Sequence, residues 1–164
     1  MQTSAQADFM RPSASSFPLQ LCLIASIFYA PIWVIVTLAL MIFKGVTLPY
    51  PPSAFWPEVV SIALVWLVQY GAVTLGKRGN LTENTSGLGV ALLLLLLAEC
   101  AFVYFMWFQV YVLMLDLAVS ATFVIINGLN VILTVAAVRG IGQANAMQGG
   151  VLLASGDSRR LKAE

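Results

Sequence analysis

The sequence predicts an all-α integral membrane protein: four transmembrane helices in an antiparallel bundle, with both termini cytoplasmic. Three observations carry that prediction. The 164 residues are 60% hydrophobic and only 9% charged, with a mean hydropathy of +0.93, whereas a soluble domain is about 25% charged. Four apolar stretches, residues 19–43, 57–75, 88–108 and 117–138, can each cross a hydrocarbon core that takes about 20 helical residues. Finally, Arg11, Lys77, Arg78, Arg139, Arg159, Arg160 and Lys162 fall on one side of a four-span arrangement and only Lys44 on the other, and Lys and Arg near span ends favour the cytoplasm.

Residues 1–18 are rich in Ser and Ala and lack the basic start of a signal peptide. They read as a flexible tail, with the first helix retained. The first span, 19–43, carries Pro31 at its middle, where a lost backbone hydrogen bond bends a helix. It ends before Pro49-Tyr50-Pro51-Pro52, a run that holds the chain extended. The second span, 57–75, stops at Gly76-Lys77-Arg78-Gly79-Asn80. Gly76 and Gly79 there predict a turn with positive φ, and the two cations sit at lipid-phosphate level.

Residues 88–138 as a single helix would run about 77 Å at 1.5 Å per residue, so a tight hairpin at 109–116 separates the third and fourth spans, with Asp116 capping the fourth. Tyr50, Phe55, Trp56, Trp107, Phe108 and Tyr111 gather where the second interface falls. After Val138 the chain reads as a tail, 139–164, ending in Ser158-Arg159-Arg160-Leu161-Lys162.

Polar residues inside the spans point to helix packing. Ser120, Asn127, Asn130 and Thr134 are spaced by seven, three and four, which lines them along one face. Side-chain amides in a membrane join helices at about 0.6–2 kcal/mol each, so this stripe faces protein. Cys22, Ser26, Thr37 and Gln69 are partners of the same kind. Glu99 falls near mid-bilayer, where an ionised carboxylate is expensive. It is a helix contact or, on a rival reading, the carrier site of a small proton-coupled transporter.

Other functions are excluded by inventory. A net charge of +1 leaves no nucleic-acid footprint. With no His, Ser-His-Asp triads and His-based metal sites are absent, and no Gly-x-Ser-x-Gly elbow occurs. The chain is expected to be no enzyme, with no catalytic, cofactor-binding or metal residues and no small-molecule substrate. Cys22 and Cys100 lie far apart in apolar runs and suggest no disulfide framework. Asn80-Leu81-Thr82 and Asn84-Thr85-Ser86 fit the glycosylation pattern but fall in a loop that the charges place in the cytoplasm, so both asparagines are expected to be unmodified.

Three blocks carry a family resemblance: Phe43-Lys44-Gly45-Val46-Thr47-Leu48-Pro49-Tyr50-Pro51, Leu75-Gly76-Lys77-Arg78-Gly79-Asn80-Leu81-Thr82-Glu83 and Gln109-Val110-Tyr111-Val112-Leu113-Met114-Leu115-Asp116. In order and spacing they resemble the ciliary transition-zone tetraspan family that includes transmembrane proteins 216, 17 and 80. The chain departs from that family in placing Gln69 and Ala72 where members often carry a Glu and an Arg, and Glu99 lies outside its pattern. The resemblance implies a structural subunit of a Meckel and tectonic type membrane complex at the ciliary transition zone. It also implies other transition-zone membrane proteins as partners and a role in cilium assembly and the ciliary membrane barrier. A MARVEL-type vesicle or junction tetraspan is the remaining rival.

Overall fold

A computed structural model describes residues 15–160, with side chains described as far as Met147. Four helices account for nearly all of it: α1 (Phe17–Thr47), α2 (Pro52–Leu81), α3 (Thr85–Trp107) and α4 (Met114–Arg160). All four are long and apolar enough to cross a membrane. The N-terminal tail expected at 1–18 lies, up to residue 14, outside the described residues, as do residues 161–164. α4 runs on without interruption past Val138 to Arg160.

Except at Phe108, which caps the end of α3, the helices overrun the apolar stretches. α1 has 31 residues, about 46 Å at 1.5 Å per residue, and Pro31 lies inside it without ending it. Of the four-residue proline run, only Pro49 to Pro51 stays extended, with Pro51 at φ −66° and ψ 126°. Pro52 opens α2, because a fixed φ and a missing N–H cost nothing at the first helical position.

The glycine turn is corrected. Gly76 to Asn80 remain helical; among the described residues no glycine has positive φ, and the single non-glycine residue that does is Glu83 at φ 52°. A Cβ on Gly76 would stand 3.2 Å from Leu23 Cδ1, and one on Gly79 would stand 2.9 Å from the Leu88 nitrogen. These glycines therefore let α2 approach α1 and α3 closely, a tertiary demand that local turn rules do not contain. The turn itself follows, where the Asn84 N–H donates to the Gly79 carbonyl at 2.9 Å. Glu83 thus occupies the left-handed position of a Schellman ending. Asn84 then starts α3 by accepting from the Ser86 and Gly87 N–H groups at 3.0 and 3.3 Å.

α1 packs on α2 and α4, and α3 on the same two, which closes a ring of four. One apolar cluster, near the α1–α2 and α3–α4 connections, is built around Trp33, Phe102, Phe105 and Phe123. Trp33 meets Phe102 and Phe105 edge-on at centroid distances of 5.0 and 5.3 Å, a favoured aromatic geometry. A second cluster at the other end joins Leu19, Leu23, Val73, Leu88, Ala137 and Ile141. Ser26, Gln69, Asn127, Asn130 and Thr134 fall along their helices between the two.

Candidate functional site

The polar stripe of α4 is turned inward. Ser120, Asn127, Asn130 and Thr134 are all buried. Ser120 accepts from Trp33 Nε1 at 3.2 Å, and Asn130 Nδ2 donates to Ser26 Oγ at 2.5 Å. Thr134 donates back to the Asn130 carbonyl at 2.7 Å. Asn127 joins three helices: its Oδ1 accepts from Gln69 Nε2 at 3.1 Å, while its Nδ2 donates to the Leu95 carbonyl at 3.1 Å and to Glu99 Oε2 at 2.8 Å. Glu99 is thus a half-buried acceptor on α3 held by an amide from α4. Cys22 reaches the Ile126 carbonyl through a 3.9 Å contact, and Thr37 is buried in α1.

A second polar group forms where the α1–α2 and α3–α4 connections meet. Lys44, which loop reasoning places at a membrane surface, is fully buried and forms an ion pair with Asp116, itself 2% exposed. Asp116 also accepts from the Leu113 N–H at 3.3 Å, so its expected capping role takes the form of a third-residue carboxylate reaching back to the N-cap backbone. Gln109 is buried beside them, its Nε2 3.0 Å from Met41 Sδ. Gly45 has a structural reason: a Cβ there would stand 2.9 Å from the Phe55 ring.

Sequence reasoning missed the centre of this cluster. Glu58, 3% exposed, accepts from the Tyr50 hydroxyl, from the Val110 N–H at 3.3 Å and, at 3.5 Å, from the Tyr104 hydroxyl. Glu58 falls on the buried face of α2 with Ile62, Val65, Gln69, Ala72, Val73 and Gly76. That helical spacing was legible, but Glu58 stands one residue after Pro57, at an apparent span edge. Burial, with the Glu58 hydrogen bond second, pushes the Tyr50 phenol well above its ordinary range. Tyr50 also meets Phe55 and Tyr111 edge-on at 5.6 and 5.5 Å. Trp56, Trp107 and Phe108 stay exposed.

The remaining motif residues divide similarly. Leu48, Pro49 and Pro51 form the short extended link, with the Leu48 N–H donating to the Lys44 carbonyl at 2.9 Å. Asn80 is buried and ties α2 to the start of α1, accepting from the Ser16 N–H and donating to the Ser16 carbonyl, each at 2.9 Å. Leu81 is exposed, and Lys77 follows Gly76 in the same helix. Among the described residues, no three His, Cys, Asp or Glu side chains are grouped to hold a metal. The arrangement provides interlocked helix joints, with its carboxylates engaged by the protein's own donors.

Residues 21–127 match the Transmemb_17 family, described as "Predicted membrane protein". Transmembrane protein 216 of Danio rerio is 27% identical over 144 residues, 88% of this chain and 90% of the relative. The Bos taurus and Homo sapiens proteins of that name are each 26% identical over 121 residues, 74% of this chain and 86% and 83% of their own lengths. No solved structure matches. With a family match across most of its length and relatives aligned over 74% to 88% of it, the chain belongs to the Transmemb_17 family of membrane proteins, in the company of transmembrane protein 216.

Proposed function

We propose that this protein is a non-enzymatic structural subunit of a Meckel and tectonic type membrane complex at the ciliary transition zone, where it supports cilium assembly and the membrane diffusion barrier. The observation that carries this reading is the alignment with transmembrane protein 216 along 88% of the chain, joined to the ciliary role implied by the three loop blocks. Other transition-zone membrane proteins are the partners. The helices run alternately up and down, and both termini face the cytoplasm. Burial of Lys44 against Asp116 supports that orientation. The only base on the opposite side is neutralised inside the protein, so no free cation there competes with the seven on the cytoplasmic side.

The carrier reading has less support. Glu99 is engaged by Asn127 in a contact between α3 and α4, an arrangement suited to packing. Family membership speaks against the MARVEL alternative. Proximity labelling from a C-terminal tag in ciliated cells, imaged beside a marker of the ciliary base, tests the proposal. Enrichment of transition-zone membrane proteins at the base is expected, and a label spread evenly over the plasma membrane would refute it.

A further inference from the structure

The bundle is open to the side between α2 and α3. Near the loop cluster, a cleft of about 370 Å³ is lined by Glu58, Ser61, Val65, Ala101, Tyr104 and Phe105, among others. Further along the same two helices a second, of about 190 Å³, is lined by Leu64, Val65, Val68, Leu97 and Ala101. Val65 and Ala101 belong to both, so the two form one groove. From Glu58 to Val68 it runs about 15 Å at 1.5 Å per residue.

The groove is polar at one end only. There the Glu58 carboxylate meets neutral donors, two of them at 3.3 and 3.5 Å, and a carboxylate offers about four acceptor positions. The buried cation of this cluster, Lys44, is paired with Asp116. An anionic head would therefore face Glu58 with no lysine or arginine in the groove lining, whereas a neutral hydroxyl donor finds an acceptor. Beyond this end the walls are aliphatic, and Ala101 leaves width where the two clefts join.

We propose that this groove binds a membrane sterol, with its hydroxyl donated to Glu58 beside Tyr104. The ring system lies across Val65 and Ala101, and the tail lies against Leu64, Val68 and Leu97. The site does not depend on where in the cell the protein resides.

The test is photolabelling of the full chain in phosphatidylcholine nanodiscs with a diazirine-bearing cholesterol analogue, mapped by peptide mass spectrometry. Labels should fall on α2 and α3 residues of the groove and be competed by cholesterol. The 3α-hydroxyl epimer should compete about tenfold more weakly, or 1.4 kcal/mol, on the scale of one hydrogen bond. Ala101→Phe should remove the labelling. Leu64→Trp, at a rim position already 56% exposed, should lower it severalfold without disturbing buried contacts, should Ala101→Phe fail to fold. Labels scattered over α1 and α4, equal competition by both epimers, or labelling that excess cholesterol leaves unchanged would each overturn the proposal.

Discussion

Lys44 and Asp116 form an ion pair 0% and 2% exposed, and this pair makes a demanding prediction about stability. Lys44→Met leaves a buried carboxylate whose remaining partner is the Leu113 N–H. Asp116→Asn leaves a buried ammonium, but its side-chain oxygen can still accept from Leu113. Removing one member of a buried pair costs about 3–5 kcal/mol, whereas replacing both by neutral groups is often close to neutral. Each single variant is therefore expected to lose about 3 kcal/mol or more, and the double variant much less than the sum, with a coupling of about 2 kcal/mol or more. The assay is reversible denaturant unfolding of the detergent-solubilised protein, run as a double-mutant cycle at low and high salt. Screening by salt is weak for a buried pair, so the coupling should change little between the two conditions. Single losses below about 1 kcal/mol, or additivity within about 0.5 kcal/mol, would mean that water reaches the pair and that burial of Lys44 has been misread.

Three further outcomes follow from other contacts. Gly79→Ala would place a methyl 2.9 Å from the Leu88 nitrogen and 3.1 Å from Leu88 Cγ. Overpacking of this kind costs about 1–3 kcal/mol, whereas Gly71→Ala, which meets nothing within 4 Å, should stabilise α2 slightly by helix propensity; thermal melting of both variants checks the contrast. Asn127→Ala should cost about 1–2 kcal/mol by stranding Gln69 and releasing Glu99, and Glu99→Gln far less, because the Leu95 carbonyl still holds Asn127; unfolding midpoints of the two decide it. Tyr50 has a folded pKa raised above its ordinary 10.0, so its contribution is complete below pH 10 and is lost as pH rises toward the folded value. Melting temperature should fall in that alkaline range, and less steeply in Tyr50→Phe.

The parts of the molecule legible in the sequence are those whose cause is local. Spans 19–43, 57–75, 88–108 and 117–138 each lie largely within a helix, because hydropathy and length act within one segment. The inward stripe of α4 was legible because four polar residues at helical spacing leave lipid as the only alternative environment. Gly76 and Gly79 were misread because a glycine is compatible equally with a turn and with close helix approach. What selects the second is Leu23 and Leu88, which stand on other helices. The burial of Lys44 was not legible for a related reason: charge rules count a lysine at a span end only toward orientation, and its partner Asp116 lies 72 positions away. Glu58 went unnoticed because its acceptor role depends on Tyr50, Tyr104 and Val110 arriving from three separate segments.

These misreadings share a direction, and it changes what the family blocks do. As loop motifs they suggest surfaces displayed for recognition. In the fold, Lys44, Tyr50, Gln109 and Asp116 turn into one polar cluster, while Gly76, Gly79 and Asn80 fix the opposite end of α2 against Leu23, Leu88 and Ser16. Such residues set the angles and heights at which helices leave one another, and their side chains are spent in doing so. On the proposed function, recognition by other membrane proteins would fall on what remains outward: the lipid-facing flanks of the helices and the exposed rings of Trp56, Trp107 and Phe108 beside the buried cluster. A substitution at one of these seven residues should therefore disturb partner binding only as far as it disturbs folding. One at Trp56 or Trp107 should separate the two, weakening assembly while the melting temperature stays unchanged.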